Sequence, residues 1–310
     1  MTSRQIPVLL LLFNRPDTTR LLIDALREIK PAKVYIAQDW PRHDTDKKNI
    51  ELVRIELEKI DWECEKMVLF REKNLGCYDA VTSGIDWFFS EAEFGIILED
   101  DCIPAKSFFD FCFQVQNSLG RDDISLISGS NFLSSHHGDS SFLTNHSPLL
   151  WWWATWRAKW KFFESIKKEK DILLSQINSK LCQYNILDRK ALMSYLSWDY
   201  WDADWYLICL FHSWKAIVPP KNQITNVGAV GIHSGRPWPY HFLERYELSD
   251  STLTFSSLDI HWEYDNQMIW FMRRMFIYGL IERFLSRIGL LKFSRFFIKH
   301  ISTILYSFKR

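Results

Sequence analysis

Phe94-Gly95-Ile96-Ile97-Leu98-Glu99-Asp100-Asp101 is the stretch on which the reading of this chain turns. Its first half is a continuous apolar run, the pattern of a short strand buried on both faces. Its second half is three consecutive carboxylates. Neighbouring carboxylates repel, and each loses hydration beside a core. A strand that ends in three of them therefore calls for positive charge. A hard divalent cation with oxygen ligands meets that need, often together with a substrate diphosphate. A solvated acidic turn explains an isolated triplet at least as well. The surrounding sequence turns the reading toward a metal-dependent enzyme acting on a nucleotide.

Upstream, strand and helix signals alternate. Residues 7–13 form an apolar run, hence a first buried strand, and Asp17 is placed to cap a helix with Leu21, Leu22, Ala25, Leu26 and Ile29 on one face. Residues 33–37 give a second strand and 45–60 an amphipathic helix with acid–base pairs at helical spacing. Residues 67–70 give a third strand, and 75–90 a helix that buries Val81, Ile85, Phe88 and Phe89. Residues 95–98 are then the fourth strand. Pro104 opens the next helix, with Phe108, Phe109, Phe111, Cys112 and Val115 inward, and 124–128 make a fifth strand. This order predicts an α/β fold, an open and mostly parallel sheet with flanking helices. Such sheets bind ligands beyond the carboxyl ends of their strands. Asn14-Arg15, Asp39 and Glu99-Asp100-Asp101 all stand at such ends and are expected to share one cleft.

Further on, residues 134–148 lack apolar periodicity and read as a surface loop able to act as a lid. Residues 151–160 hold five Trp, and the chain has 15 in all. Flat aromatic faces suit sugars and bases, and they also build cores. Helices are expected over 157–168, 188–197 and 201–213, and a strand over 216–218. No internal repeat or long low-complexity linker interrupts the chain.

The bulk numbers exclude several classes. With 38 basic and 38 acidic residues, net charge is zero and names no polyanionic partner, so nucleic acid is not expected. The six Cys are scattered without close-spaced pairs, which argues against a zinc site or a disulfide framework and fits a reducing compartment. The early apolar run is too short for a signal peptide, and no stretch reaches the roughly 18 to 20 apolar residues of a membrane span.

Individual residues carry the chemistry. The planar fork of Arg15 suits a nucleotide phosphate or base, and equally the capping of a turn. Asp39 can accept a base N–H or simply form a turn before Pro41. Asp202 and Asp204 lie in Trp201-Asp202-Ala203-Asp204-Trp205. Aromatic flanks desolvate a carboxylate, raise its pKa and suit it to act as a general base. Two acids favoured by a helix N-terminus would look the same. His233, in His233-Ser234-Gly235, is a candidate contact for metal or diphosphate. Residues 283–310 carry seven basic residues and no acid, among many large apolar ones. That pattern fits a helix on an anionic membrane surface, and its rival is a terminal helix packed on the domain.

Seven landmarks occur in order: Asn14-Arg15-Pro16-Asp17-Thr18-Thr19-Arg20, Ala37-Gln38-Asp39, Asn74-Leu75-Gly76-Cys77, Leu98-Glu99-Asp100-Asp101, Trp153-Ala154-Thr155-Trp156-Arg157, Trp201-Asp202 and Asn226-Val227-Gly228. Over about residues 6–240 this set resembles GT-A-fold nucleotide-sugar glycosyltransferases, nearest to bacterial surface-polysaccharide transferases related to animal N-acetylglucosaminyltransferases. The resemblance implies a donor site of Asn14, Arg15, Asp39, Asn74, Glu99 and Asp100, with Arg15 and Asp39 on the base, Asp100 on the ribose and Glu99 on the sugar side. It implies Asp101 as ligand of Mn²⁺ or Mg²⁺, with His233 where the family closes a loop over the donor. It implies Asp202 as catalytic base, with Asp204 the alternative. Trp152 and Trp153 are the candidate acceptor wall. One departure stands out: a basic residue is expected after Cys77, and Tyr78 stands there.

The expected reaction is inverting transfer of one sugar from a nucleoside diphosphate sugar to a hydroxyl of a cell-surface glycan or lipid-linked acceptor. Residues 1–130 would form the nucleotide-sugar half and 131–265 the acceptor half of one domain. Residues 266–310 would be a basic amphipathic segment that holds the enzyme, from the cytoplasm, on the inner face of an anionic membrane. Two rivals differ in class. A nucleotidyltransferase would show a Gly-rich basic loop after the first strand, which Asn14-Arg15-Pro16 is not. A non-catalytic carbohydrate-binding protein would use the Trp block and leave the strand-end acids unexplained.

Overall fold

The computed structural model describes residues 2–118, 122–131, 140–146, 150, 152–228 and 259–288. Strands β1 (Val8–Leu12), β2 (Lys33–Gln38), β3 (Glu65–Phe70) and β4 (Phe94–Glu99) alternate with helices α1 (Pro16–Ile29), α2 (Asp44–Glu58) and α3 (Gly76–Glu91). Every residue of β1 is buried, as its unbroken apolar run requires of a strand covered on both faces. Helix α1 starts with Pro at its first position, where the missing N–H costs nothing, and turns Leu22, Ile23, Leu26 and Ile29 onto the sheet. It ends at Lys30 in the left-handed conformation.

Residues after β4 depart from expectation. Pro104 does not open a helix. It ends a short strand, β5 (Cys102–Pro104), and α4 begins only at Lys106 (Lys106–Ser118). Strands β6 (Ile124–Ser128), β7 (Phe142–Thr144) and β8 (Trp152–Trp156) follow. The helix expected over 157–168 is two, α5 (Arg157–Trp160) and α6 (Phe163–Lys180). Helices α7 (Ile186–Leu196) and α8 (Trp201–Phe211), strands β9 (Lys215–Val218) and β10 (Ile224–Asn226), and helix α9 (Trp262–Arg287) complete the described elements.

Eight strands form one mixed sheet in the order β3-β2-β1-β4-β8-β6-β9-β7. Strands β3, β2, β1 and β4 are parallel, and β6 is parallel to β9. The Trp-rich strand β8 lies antiparallel between β4 and β6 and welds the two parallel groups together. Strands β10 and β5 form a separate antiparallel pair, with Asn226 opposite Cys102.

The first half of α9 belongs to the domain. Tyr264, Met268, Phe271, Met272 and Met275 are buried against it. Asp265 accepts from Thr144 Oγ1, from Asn145 N at 3.0 Å and from Asn145 Nδ2 at 2.8 Å, while Arg273 Nε meets Asp188 Oδ1 at 2.5 Å. The boundary expected at residue 266 therefore falls inside a continuous, packed helix. Burial on α9 ends at Tyr278, before the basic segment 283–310 begins, and in the described part of that segment Phe284 and Ile288 are exposed, as is Leu280 just before it. Among the described residues no helix is long and apolar enough to cross a membrane. Residues 289–310 lie outside the described residues.

Candidate functional site

The chain runs from β1 outward to β2 and β3, then returns to place β4 on the other side of β1. That reversal makes the carboxyl ends of β1 and β4 the crevice where doubly wound sheets take their ligands. Arg15 follows β1, and Glu99-Asp100-Asp101 closes β4. Sequence reading had these groups converge, and they touch. Arg15 Nη1 lies 3.1 Å from Asp100 Oδ1 and 2.6 Å from Asp101 Oδ2. The backbone N–H of Phe13 donates to Asp100 Oδ2 at 3.4 Å.

One cation among three carboxylates leaves an excess of negative charge. Burial pushes Asp100 up to about 7, against the pull of Arg15. Burial holds Glu99 well above the carboxylate range as well, and the charges of Asp101, Asp100 and Asp202 add to it. Asp202 thus feels the strand-end acids although it enters from α8, on the far side of the sheet sequence. It sits in the first turn of α8, where Ala203 N–H donates to its Oδ1 at 3.0 Å and Tyr195 Oη–H to its Oδ2 at 3.4 Å. The helix terminus favours the anion, burial opposes it, and burial prevails: Asp202 is pushed up to about 6.

Asp204 faces elsewhere. It is buried, accepts from Tyr78 Oη at 2.6 Å and lies 2.7 Å from Lys170 Nζ. Tyr78, which stands where a basic residue was expected, is thereby spent on holding α3 against α8. Of the two candidates for the base, Asp202 is the one whose charge acts on Glu99.

Asp39 is in the crevice, but its oxygens are engaged. They accept from Trp40 N at 2.9 Å, Leu75 N at 3.0 Å, Gly76 N at 3.2 Å and Asn74 Nδ2 at 2.9 Å. Asp39 and Asn74 together fix the start of α3. Asn14 Nδ2 donates to Asp46 Oδ1 at 2.6 Å. Asp46 in turn is gripped by Arg42, which holds its carboxyl down to about 2. Asn14 therefore ties the loop after β1 to α2.

Trp153 requires correction as an acceptor contact. It is 1% exposed and lies within 5.5–6.3 Å, ring centre to ring centre, of Trp160, Trp201 and Trp205. A ring with no free face cannot meet a substrate, so its role is to back the wall on which Trp201-Asp202 is mounted. Trp152 lies in β8, and its side chain lies outside the described residues, as do His233 and residues 134–139 and 147–148. The lid expected over 134–148 is corrected in its described part, because residues 142–144 are strand β7, paired with β9 and with Leu143 and Thr144 buried.

Four neighbours of the site escaped sequence reading as functional groups. Cys77 is exposed as a residue at the start of α3, yet its thiol is desolvated by the packing around it, and that, with the charges of Glu99, Asp202 and Asp39, pushes it up to about 11. Tyr195 shows no signal seven residues before Asp202. Asn226 Nδ2 donates to Asp101 Oδ1 at 3.4 Å, and Val227 N–H to the Asp101 carbonyl at 2.9 Å. Gly228 passes so close that a Cβ there would overlap Asp101 Oδ2. Asn226-Val227-Gly228 was visible as a motif, but its contact with Asp101 spans 125 residues.

Asp100 and Asp101 offer hard oxygen donors of the kind Mg²⁺ or Mn²⁺ takes when phosphates supply its other ligands. Among the described residues no group of three His, Cys, Asp or Glu is set to hold a metal by itself. The donor set fits a cation shared with a substrate rather than a closed protein site.

No protein-family model and no curated protein matches this chain. The fold and the site are the grounds for a functional reading.

Proposed function

We propose that the chain is a GT-A-type glycosyltransferase that moves one sugar, with inversion, from a nucleoside diphosphate sugar to an acceptor hydroxyl. The observation that carries this reading is the meeting of Arg15 with Asp100 and Asp101 at the reversal point of the sheet, where the charge of buried Asp202 also acts on Glu99. The antiparallel β8 beside β4 also suits a GT-A sheet.

Asp202 acts as the base. Near neutral pH a carboxyl that titrates at about 6 is mostly ionised yet basic enough to take the acceptor proton. Tyr195 and the N–H of Ala203 hold it in one orientation. The freed oxygen attacks the anomeric carbon opposite the leaving diphosphate. Glu99, whose carboxyl is held above the ordinary range by burial and by the neighbouring acids, faces the sugar side of the donor. Arg15 supplies the diphosphate with a positive charge that does not titrate away. Mn²⁺ or Mg²⁺ held by Asp101, with Asp100 beside it, would add Lewis-acid neutralisation of the leaving group. Positioning and leaving-group stabilisation carry most of the rate.

Leu280, Phe284 and Ile288 extend the reading to place. They recur every four residues at the end of α9, Ile288 at its C-cap, with Arg283 and Arg287 between them and basic residues following. We propose that this end of the chain rests on an anionic inner-leaflet surface, beside lipid-linked acceptors.

The test is a panel of nucleoside diphosphate sugars incubated with the full chain and Mn²⁺, with free nucleotide as the readout. Release from one donor, lost in Asp202→Asn by about 10² or more with donor binding kept, supports the proposal. Absence of release across the panel, or full activity in Asp202→Asn, defeats it.

A further inference from the structure

The carboxylate pair already has a cation. Arg15 places one nitrogen, Nη1, between Asp100 Oδ1 at 3.1 Å and Asp101 Oδ2 at 2.6 Å. A divalent ion bridging the same two side chains would need the same interval. Other neighbours crowd Asp101. Its Oδ1 takes Cys102 Sγ at 3.3 Å and Asn226 Nδ2 at 3.4 Å, its carbonyl takes Val227 N–H, and Gly228 lies against Oδ2. A guanidinium does not lose its proton, so it cannot yield by titration and must move. It has room to do so, because about a quarter of the Arg15 side chain, 26%, is exposed.

We infer that Arg15 and a divalent cation compete for Asp101, so that the cation enters fully only when an anion of the diphosphate class draws the guanidinium away. Metal and diphosphate then favour each other's binding through one mobile side chain, and by linkage the effect is mutual. This rests on Asp101 as the cation's ligand in the proposed transferase site. It also gives Arg15 two positions: on the carboxylates at rest and on the phosphates when donor is bound.

The experiment titrates Mn²⁺ into the full chain without nucleotide and follows free Mn²⁺ by electron paramagnetic resonance. Wild type should bind Mn²⁺ weakly. Arg15→Met should bind it at least about ten-fold more tightly, within the usual range of such couplings, and Asp101→Asn added to Arg15→Met should abolish the gain. Equal or weaker binding by Arg15→Met overturns the inference, as does a gain that survives loss of Asp101. Arg15→Gln, which can still hydrogen-bond to both carboxylates, guards against a folding defect. If it melts early, Mn²⁺ should raise its melting temperature more than it raises that of wild type, and an equal or smaller rise counts against the competition. No sugar donor is present, so failed sugar transfer with this result intact sinks only the transferase reading.

Discussion

At the scale of single residues, carboxyl groups held above their ordinary range dominate the cleft. Asp202 titrates near 6 and Asp100 near 7 in the folded protein. Both let go of their protons near pH 4 once unfolded. Between those values the folded state keeps protons that the unfolded chain releases. Their contribution to stability is complete below about pH 4 and is lost as pH rises through 6 and 7. The melting temperature of wild type should therefore fall more steeply from pH 5 to pH 8 than that of Asp202→Asn. His146 works the other way, since burial lowers its imidazole to about 4, but both proteins contain it and its effect cancels. Equal slopes would show that Asp202 titrates normally. The same surroundings bear on Cys77. Its thiol, pushed to about 11, should react with iodoacetamide more slowly than exposed Cys182 at pH 7.5, because the thiolate is the nucleophile. Peptide mapping that finds Cys77 labelled first would contradict the crowded carboxylate geometry.

At the scale of elements, α9 has two parts with different obligations. Its first turns are structural. Asp265→Ala would strip acceptors from Thr144, Asn145 and the backbone of His146, and leaving buried donors unmet costs about 1–3 kcal/mol. Urea unfolding should show that loss. No residue of α9 beyond Tyr278 is buried, so truncation after Ile281 should leave the melting curve near wild type. Vesicle flotation then tests the surface proposal. The full chain should rise with anionic liposomes at low salt and the truncation should not. If both stay at the bottom, the exposed residues serve no membrane contact. Legibility in the sequence divided along similar lines. Strands β1, β2 and β4 and their helices were readable because strands covered on both faces leave continuous apolar runs. Strand β8 was not, because a run of indoles has no alternation to reveal a strand. The three-residue strands β5 and β10 are shorter than any periodic signal. Arg15 and the acids were each readable at a strand end, but their ion pairs span 85 and 86 residues, and only the fold brings them together. Asp202 was preferred to Asp204 only by resemblance, and the partners that engage Asp204, Lys170 and Tyr78, lie 34 and 126 residues away, where no local pattern could show them.

At the scale of the whole molecule, the proposed donor and acceptor halves share a single sheet. Strand β6 reaches β4 only through β8, so a fragment ending at residue 130 would lose the strand that joins them and expose both edges. Such a fragment should fail to give the near-ultraviolet dichroism of a packed core, and the intact chain should unfold in one transition with coincident probes. Two separated transitions would mean the halves are independent. The indole cluster behind Asp202 extends this unity in another direction. Trp160, Trp153, Trp201, Trp205 and Trp214 form a connected series with neighbouring ring centres 5.2–6.4 Å apart. At such spacing, electronic excitation passes between rings faster than it is emitted, so the five behave optically as one antenna. The rings at positions 201 and 205 ride on the helix that carries Asp202. Any ligand that shifts that helix should register in the colour of the emitted light, a built-in optical gauge that needs no attached dye.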